Sequence, residues 1–195
     1  MIRVLDKIVA DKIAAGEVVE RPLSVVKELV ENAVDAGATT ITVEIRNGGK
    51  SYLRVTDNGC GIPSDEVLLA FTRHATSKIV TDKDLESIQT LGFRGEALAS
   101  IAAVSRTELV TKEPEAHLGK RVMIAGGTVL EHTEAGCPDG TTVIVRDLFF
   151  NTPARLKFLK SDSAESSLII DFVSRMALAY PEIRIRLVNN GNILF

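Results

Sequence analysis

Glu28, Asn32 and Asp35 recur at i, i+4 and i+7 within PLSVVKELVENAVDA, a spacing that projects all three from one side of an α-helix. A carboxamide oxygen such as that of Asn32 is a hard, neutral ligand suited to Mg²⁺, which keeps several waters and takes the rest of its shell from phosphates. A carboxylate one turn earlier, Glu28, can accept a proton from an attacking water. The same stripe also suits a solvated helix face, although asparagine is a poor mid-helix residue because its amide competes for backbone groups. A second acid stands out in Tyr52–Asp57, YLRVTD. In an extended chain Leu53, Val55 and Asp57 point one way, which puts Asp57 in phase with core-facing residues. A buried carboxylate needs partners. Asp57 either caps the Asp-Asn-Gly turn or accepts a hydrogen bond from the exocyclic amine of a bound base, with water beside it.

Two glycine loops surround these acids. In Asn58-Gly59-Cys60-Gly61-Ile62-Pro63 two glycines flank a small residue, which lets backbone approach a flat ligand. Ser64 stands where a dinucleotide fingerprint needs its third glycine, and no GxxxxGK[ST] occurs anywhere, so neither a Rossmann site nor a P-loop is present. Farther on, Leu91-Gly92-Phe93-Arg94-Gly95-Glu96-Ala97-Leu98 leads into a helix. Free N–H groups there suit a phosphate, and a plain loop-to-helix junction is the alternative.

These residues require a particular scaffold. The spacing predicts a helix over 22–36, with Pro22 in its first turn and Gly37 just past its end. Val26, Leu29, Val30 and Ala33 form its apolar face. Thr40–Arg46 (TITVEIR) alternates with the period of a half-buried strand, Asn47-Gly48-Gly49 makes a turn, and Tyr52–Asp57 returns. Residues 11–20 read as helical but broken at Gly16. A loop-rich stretch with a short helical piece near 64–72 precedes a small-residue helix over Glu96–Val104. Strands are expected near 106–112, 121–125, 128–133 and 142–147, a helix over 163–179, a strand over Ile183–Val188, and a final strand begun in NNGNILF. Sequential hairpins with intervening helices indicate an α/β two-layer sandwich: a mixed, mainly antiparallel sheet with helices on one face.

Composition narrows the class. The 195 residues are 45% apolar and 25% charged, enough for one domain with a real core. No apolar run reaches the roughly 18 residues of a membrane span, and MIRVLDKIVADK lacks the apolar region of a secretory signal. A net charge of -3 is unlike a pure nucleic-acid module, and aromatics at 5% argue against a base-stacking platform. Cys60 and Cys137 make no disulfide framework and no metal spacing, which favours a reducing, cytoplasmic setting. His74, His117 and His132 have no metal spacing either. Arg155, Lys157 and Lys160 form a basic run that is either a solvated helix end or a DNA-backbone contact.

Four segments in order, Glu28–Ala36 (ELVENAVDA), Asp57–Gly61 (DNGCG), Gly92–Leu98 (GFRGEAL) and Gly140–Thr142 (GTT), resemble the motifs of the GHKL ATPase superfamily. That superfamily holds gyrase B subunits, heat-shock chaperones of the ninety-kilodalton class, histidine kinases and MutL proteins. Ile13–Pro22 (IAAGEVVERP), Arg73–Lys78 (RHATSK), GFRGEAL and Phe149–Arg155 (FFNTPAR) make the chain most similar to the N-terminal ATPase domain of the mismatch-repair MutL family. The resemblance runs from about residue 4 to residue 190.

The resemblance implies a Bergerat-type ATPase fold binding ATP and Mg²⁺. Glu28 is then the general base and Asn32 the metal ligand. Asp57, Gly61, Ile62 and Thr141 belong to the adenine end, with Asp57 reading the amine, and Ala36 also binds ATP. Thr76, Ser77 and Lys78 belong to a lid over ATP, and Leu91, Gly92, Phe93, Arg94, Gly95, Glu96, Ala97 and Leu98 to the phosphate end. It implies a switch in DNA mismatch repair, an ATP-dependent homodimer or paralogue heterodimer, and encounters with DNA and a MutS-type mismatch-recognition protein. It places the chain in the cytoplasm, or the nucleus of a eukaryote, with no membrane role. Residues 1–195 are expected to be the ATPase domain of a longer protein, whose S5-like second domain supplies a lysine to the γ-phosphate and whose distant C-terminal domain also follows. A nucleotide-gated module that does not hydrolyse ATP, or a kinase of the histidine-kinase kind, would share the same pocket.

Overall fold

The structure, a computed structural model, describes residues 6–73, 75, 91–92 and 95–195. Helix α1 (Lys7–Val18) and helix α2 (Pro22–Asp35) come first. Strands β1 (Thr40–Arg46) and β2 (Tyr52–Asp57) follow, joined by a 3-10 turn over Asn47–Gly49. A short 3-10 turn at Leu69–Phe71 lies where the sequence suggested a helical piece, and α3 is Ala97–Ala103. Strands β3 (Arg106–Lys112), β4 (Gly119–Ala125), β5 (Thr128–Ala135) and β6 (Gly140–Arg146) run next. Helices α4 (Pro153–Phe158) and α5 (Asp162–Ala179) and strands β7 (Arg184–Asn189) and β8 (Asn192–Ile193) complete the chain.

The eight strands form one sheet in the order β5-β4-β3-β6-β2-β1-β7-β8. Every pairing is antiparallel except β1 with β7, where Thr40 aligns with Arg184 and Ile45 with Asn189. The expected mixed, mainly antiparallel sheet is what the chain forms. The period-two pattern explains its sidedness. Ile41, Val43 and Ile45 of β1, Leu53 and Val55 of β2, Leu109 of β3 and Val143 and Val145 of β6 are buried against the helices. Each fully buried side chain of this size contributes roughly 1.5–3 kcal/mol. The opposite face is polar: Glu44 pairs with Arg46 and Arg54, and Glu108 with Arg121 and Arg146. Among the described residues no helix is long and apolar enough to cross a membrane.

Helix α2 follows its sequence cues. Pro22 opens it, and Val25, Val26, Leu29, Val30 and Ala33 are buried. Gly37 takes φ +70° and donates its N–H to the Val34 carbonyl, an end that favours glycine. Helix α5 starts at Ser161, whose hydroxyl accepts the Ala164 N–H. One expectation fails. Gly16 does not break its helix, because α1 runs through it. A Cβ there would fall on the Arg155 guanidinium, so the glycine serves packing rather than termination. Arg155 is therefore half-buried against α1, with Nη1 buried and unpaired, while Lys157 and Lys160 stay exposed.

Candidate functional site

Helix α2 presents its polar stripe to a cleft of about 1170 Å³ between that helix, the end of β2 and the start of α3. The stripe is thus not a bulk-solvent face. Glu28, Asn32 and Ala36 border the cleft from α2, and Asp57, Gly61 and Ile62 border it from the end of β2 and the loop beyond. Leu91, Gly92, Gly95, Glu96, Ala97 and Leu98 close another side, and Thr141 of β6 stands beside Asp57. Thr76, Ser77, Lys78, Phe93 and Arg94 lie outside the described residues, as does His74.

Asp57 both caps its turn and faces the cleft. Its Oδ1 accepts the Gly59 N–H at 2.8 Å and the Thr141 N–H at 3.3 Å, while its Oδ2 takes neither bond. Burial pushes the Asp57 carboxyl up, and the two amides oppose that rise. Asn58 locks the turn to β1: its Oδ1 accepts the N–H groups of Thr39 and Thr40 at 2.9 and 2.8 Å.

Thr111 on β3 organises the floor behind Asp57, and the sequence reading missed it. Its hydroxyl accepts the Ile62 N–H at 2.9 Å and donates to the Gly140 carbonyl at 3.1 Å. Its one proton is thereby used, so the Thr141 hydroxyl 2.9 Å away donates to it. The signal was a threonine in phase with buried Thr107 and Leu109. Thr111→Val is expected to strand two buried polar groups, costing about 1–3 kcal/mol. Chemical denaturation reads the loss, and an unchanged midpoint refutes this role.

The glycines of the Asn58–Pro63 loop also serve close packing within the fold. A Cβ on Gly59 would lie 2.8 Å from Ala36, and one on Gly61 (φ +71°) would strike the Lys112 carbonyl. These residues let the loop approach helix α2 and strand β3, and Gly61 also borders the cleft. Gly140 is similarly constrained: φ is +101° and a Cβ would strike the Asp57 carbonyl. Gly140→Ala is expected to cost about 1–3 kcal/mol in backbone strain alone, which is roughly a 2–10 °C fall in Tm for a domain of this size. A Tm equal to the parent's in a thermal melt contradicts it.

Glu28 makes no hydrogen bond or ion pair among the described residues, and its carboxylate borders the cleft. No group of three His, Cys, Asp or Glu side chains among the described residues could hold a metal ion alone. The chemistry at the cleft instead fits a cation that arrives with phosphates, for which a carboxamide oxygen such as that of Asn32 on the cleft wall is a suitable hard ligand.

The family model for histidine kinase-, DNA gyrase B- and HSP90-like ATPases matches residues 17–148. The chain belongs to that family. Among members of this ATPase family, it is 58% identical over 190 residues to the DNA mismatch repair protein MutL of Agathobacter rectalis and 56% identical over 194 residues to that of a Thermoanaerobacter species. It covers 97% and 100% of itself in these matches but only 29% and 32% of the relatives, so it spans about a third of their length. Its fold matches the Aquifex aeolicus MutL ATPase domain complexed with ADP at a TM-score of 0.73, with 36% identity over 91% of this chain and 63% of that one. The N-terminal domain of a DNA repair protein matches at 0.80, with 27% identity over 95% of this chain and 55% of that one. The resemblance drawn from the sequence motifs is borne out.

Proposed function

We infer that the chain is the ATP-binding domain of a MutL-type mismatch-repair protein, in which ATP binding and Mg²⁺-dependent hydrolysis switch conformation and dimerisation on DNA. The observation that carries this reading is the shared cleft: an inward acid at one end and the Glu28–Asn32 stripe at the other. Asp57 Oδ2 accepts the adenine amine, and Thr141 steadies Asp57 through Oδ1. Ala36, Gly61 and Ile62 wall the adenine. The backbone around Gly92 and Gly95 receives the phosphates; the ATP contacts expected of Thr76, Ser77, Lys78, Phe93 and Arg94 fall outside the described residues. Asn32 would hold the Mg²⁺, which when bound neutralises phosphate charge. Glu28 takes the proton of the attacking water. The partners that go with this reading are a second copy or a paralogue, DNA, and a MutS-type protein.

The test is ATP binding and steady-state turnover by the full-length protein with and without Mg²⁺. Tight ATP binding, weak GTP binding and Mg²⁺-dependent release of phosphate are expected. Failure to bind ATP overturns the reading. Binding without turnover would leave only the nucleotide-gated module, and a labelled phosphoenzyme would point to the kinase.

A further inference from the structure

Asp35 is the last residue of α2 and the third member of its polar stripe. Its two carboxylate oxygens divide two consecutive backbone donors: Oδ1 accepts the Leu91 N–H at 3.0 Å and Oδ2 the Gly92 N–H at 3.1 Å. Asp35 is a costly choice for helix α2 taken alone. A carboxylate at a helix C-terminus opposes the helix dipole, aspartate is a weak helix former, and no basic residue occupies the last turn. A local choice that opposes its own element is explained by what it does elsewhere in the fold. Here the compensation includes a pair of charge-assisted bonds to a segment distant in sequence.

We propose that Asp35 is a positioning residue that clamps the phosphate-receiving loop to the helix carrying Glu28 and Asn32. This rests on the nucleotide reading above. Gly92 opens the loop that reaches α3 through Gly95, which has φ +60°. Asp35 sits three residues beyond Asn32 on the same helix side. One rigid element therefore sets both the cation-ligating carboxamide and the origin of the loop. Misplacing the loop relative to Asn32 disrupts the phosphate end and leaves the adenine end, held by Asp57, Thr111 and Thr141, as it was.

The experiment compares ATP with adenosine in the full-length protein. Asp35→Asn keeps the volume but replaces one acceptor with an NH₂ that faces an N–H. Calorimetry is expected to show ATP affinity falling about tenfold or more, with adenosine affinity, read by ligand-observed NMR, unchanged. Leu91→Pro deletes one of the two donors from the loop side at an exposed side chain and is expected to give the same selective loss, smaller in size. Hydrogen exchange at Gly92 is expected to quicken in Asp35→Asn. Equal loss of ATP and adenosine in both variants would make the contact merely structural, and unchanged ATP affinity in both would remove the clamp altogether. Either result overturns the proposal. A parent protein that binds no ATP would instead overturn the nucleotide reading itself.

Discussion

Replacing Glu28 with alanine in the full-length protein is expected to lower ATP turnover by about 10²–10⁴-fold and to leave ATP affinity within about threefold, the pattern of a lost general base. Glu28 stands one helical turn before Asn32 at the cleft and makes no bond among the described residues. Truncating it removes a proton acceptor without stranding a partner in the fold. Single-turnover hydrolysis and equilibrium binding measure the two quantities separately. Parallel collapse of both would reassign Glu28 to nucleotide binding, and turnover at the parent's rate would remove it from the chemistry.

Asp57→Asn is expected to behave in the opposite way. The amide oxygen can still accept from Gly59 and Thr141 in place of Oδ1, but an NH₂ replaces the oxygen left for adenine. Two donors then face one another, and ATP affinity falls by roughly 10²-fold or more, as expected when a buried polar contact is lost and its partner stranded. Stability moves differently. Burial raises the Asp57 carboxyl's pKa in the folded protein, so the native state binds its proton more tightly than the unfolded chain does. The resulting stabilisation is fully present below the ordinary carboxylate pKa and is lost as pH rises through the elevated one. The asparagine variant carries no such loss. Its Tm without nucleotide should therefore equal or exceed the parent's at neutral pH, and that advantage should shrink on acidification. A thermal melt series across pH, with and without ATP, checks both halves. An apo variant less stable at pH 7 than at pH 4 relative to the parent would contradict the sign.

The scaffold was legible where periodicity is strong. TITVEIR alternates, and Ile41, Val43 and Ile45 are buried; Pro22 and Gly37 bracket α2 much as expected. The phase of Leu53, Val55 and Asp57 anticipated an acid drawn inward. Roles that depend on tertiary contacts were harder to read. Gly16 looks like a helix breaker until Arg155, far along the chain, is found lying over it. That Gly59 and Gly61 also make room for Ala36 and Lys112 is a tertiary contact that the loop sequence does not show. Asp35 was visible as part of a stripe, but its carboxylate reaches two amides more than fifty residues away, and local spacing carries no trace of that. Thr111 is a similar case: its partners come from two separate segments, the loop at Ile62 and the start of β6.

The parallel pairing of β1 with β7, the only one among the described residues, has a consequence for biosynthesis. Thr40 meets Arg184 only after the long intervening stretch of chain has been made. At roughly 5–20 residues per second of translation, β1 waits on the order of ten seconds with one rim of N–H and C=O groups unmatched. Such a rim is a template for stray strands, and closing so long an intervening span is slow on entropic grounds. The nascent polypeptide is therefore open to misassembly on the ribosome just before β7 emerges.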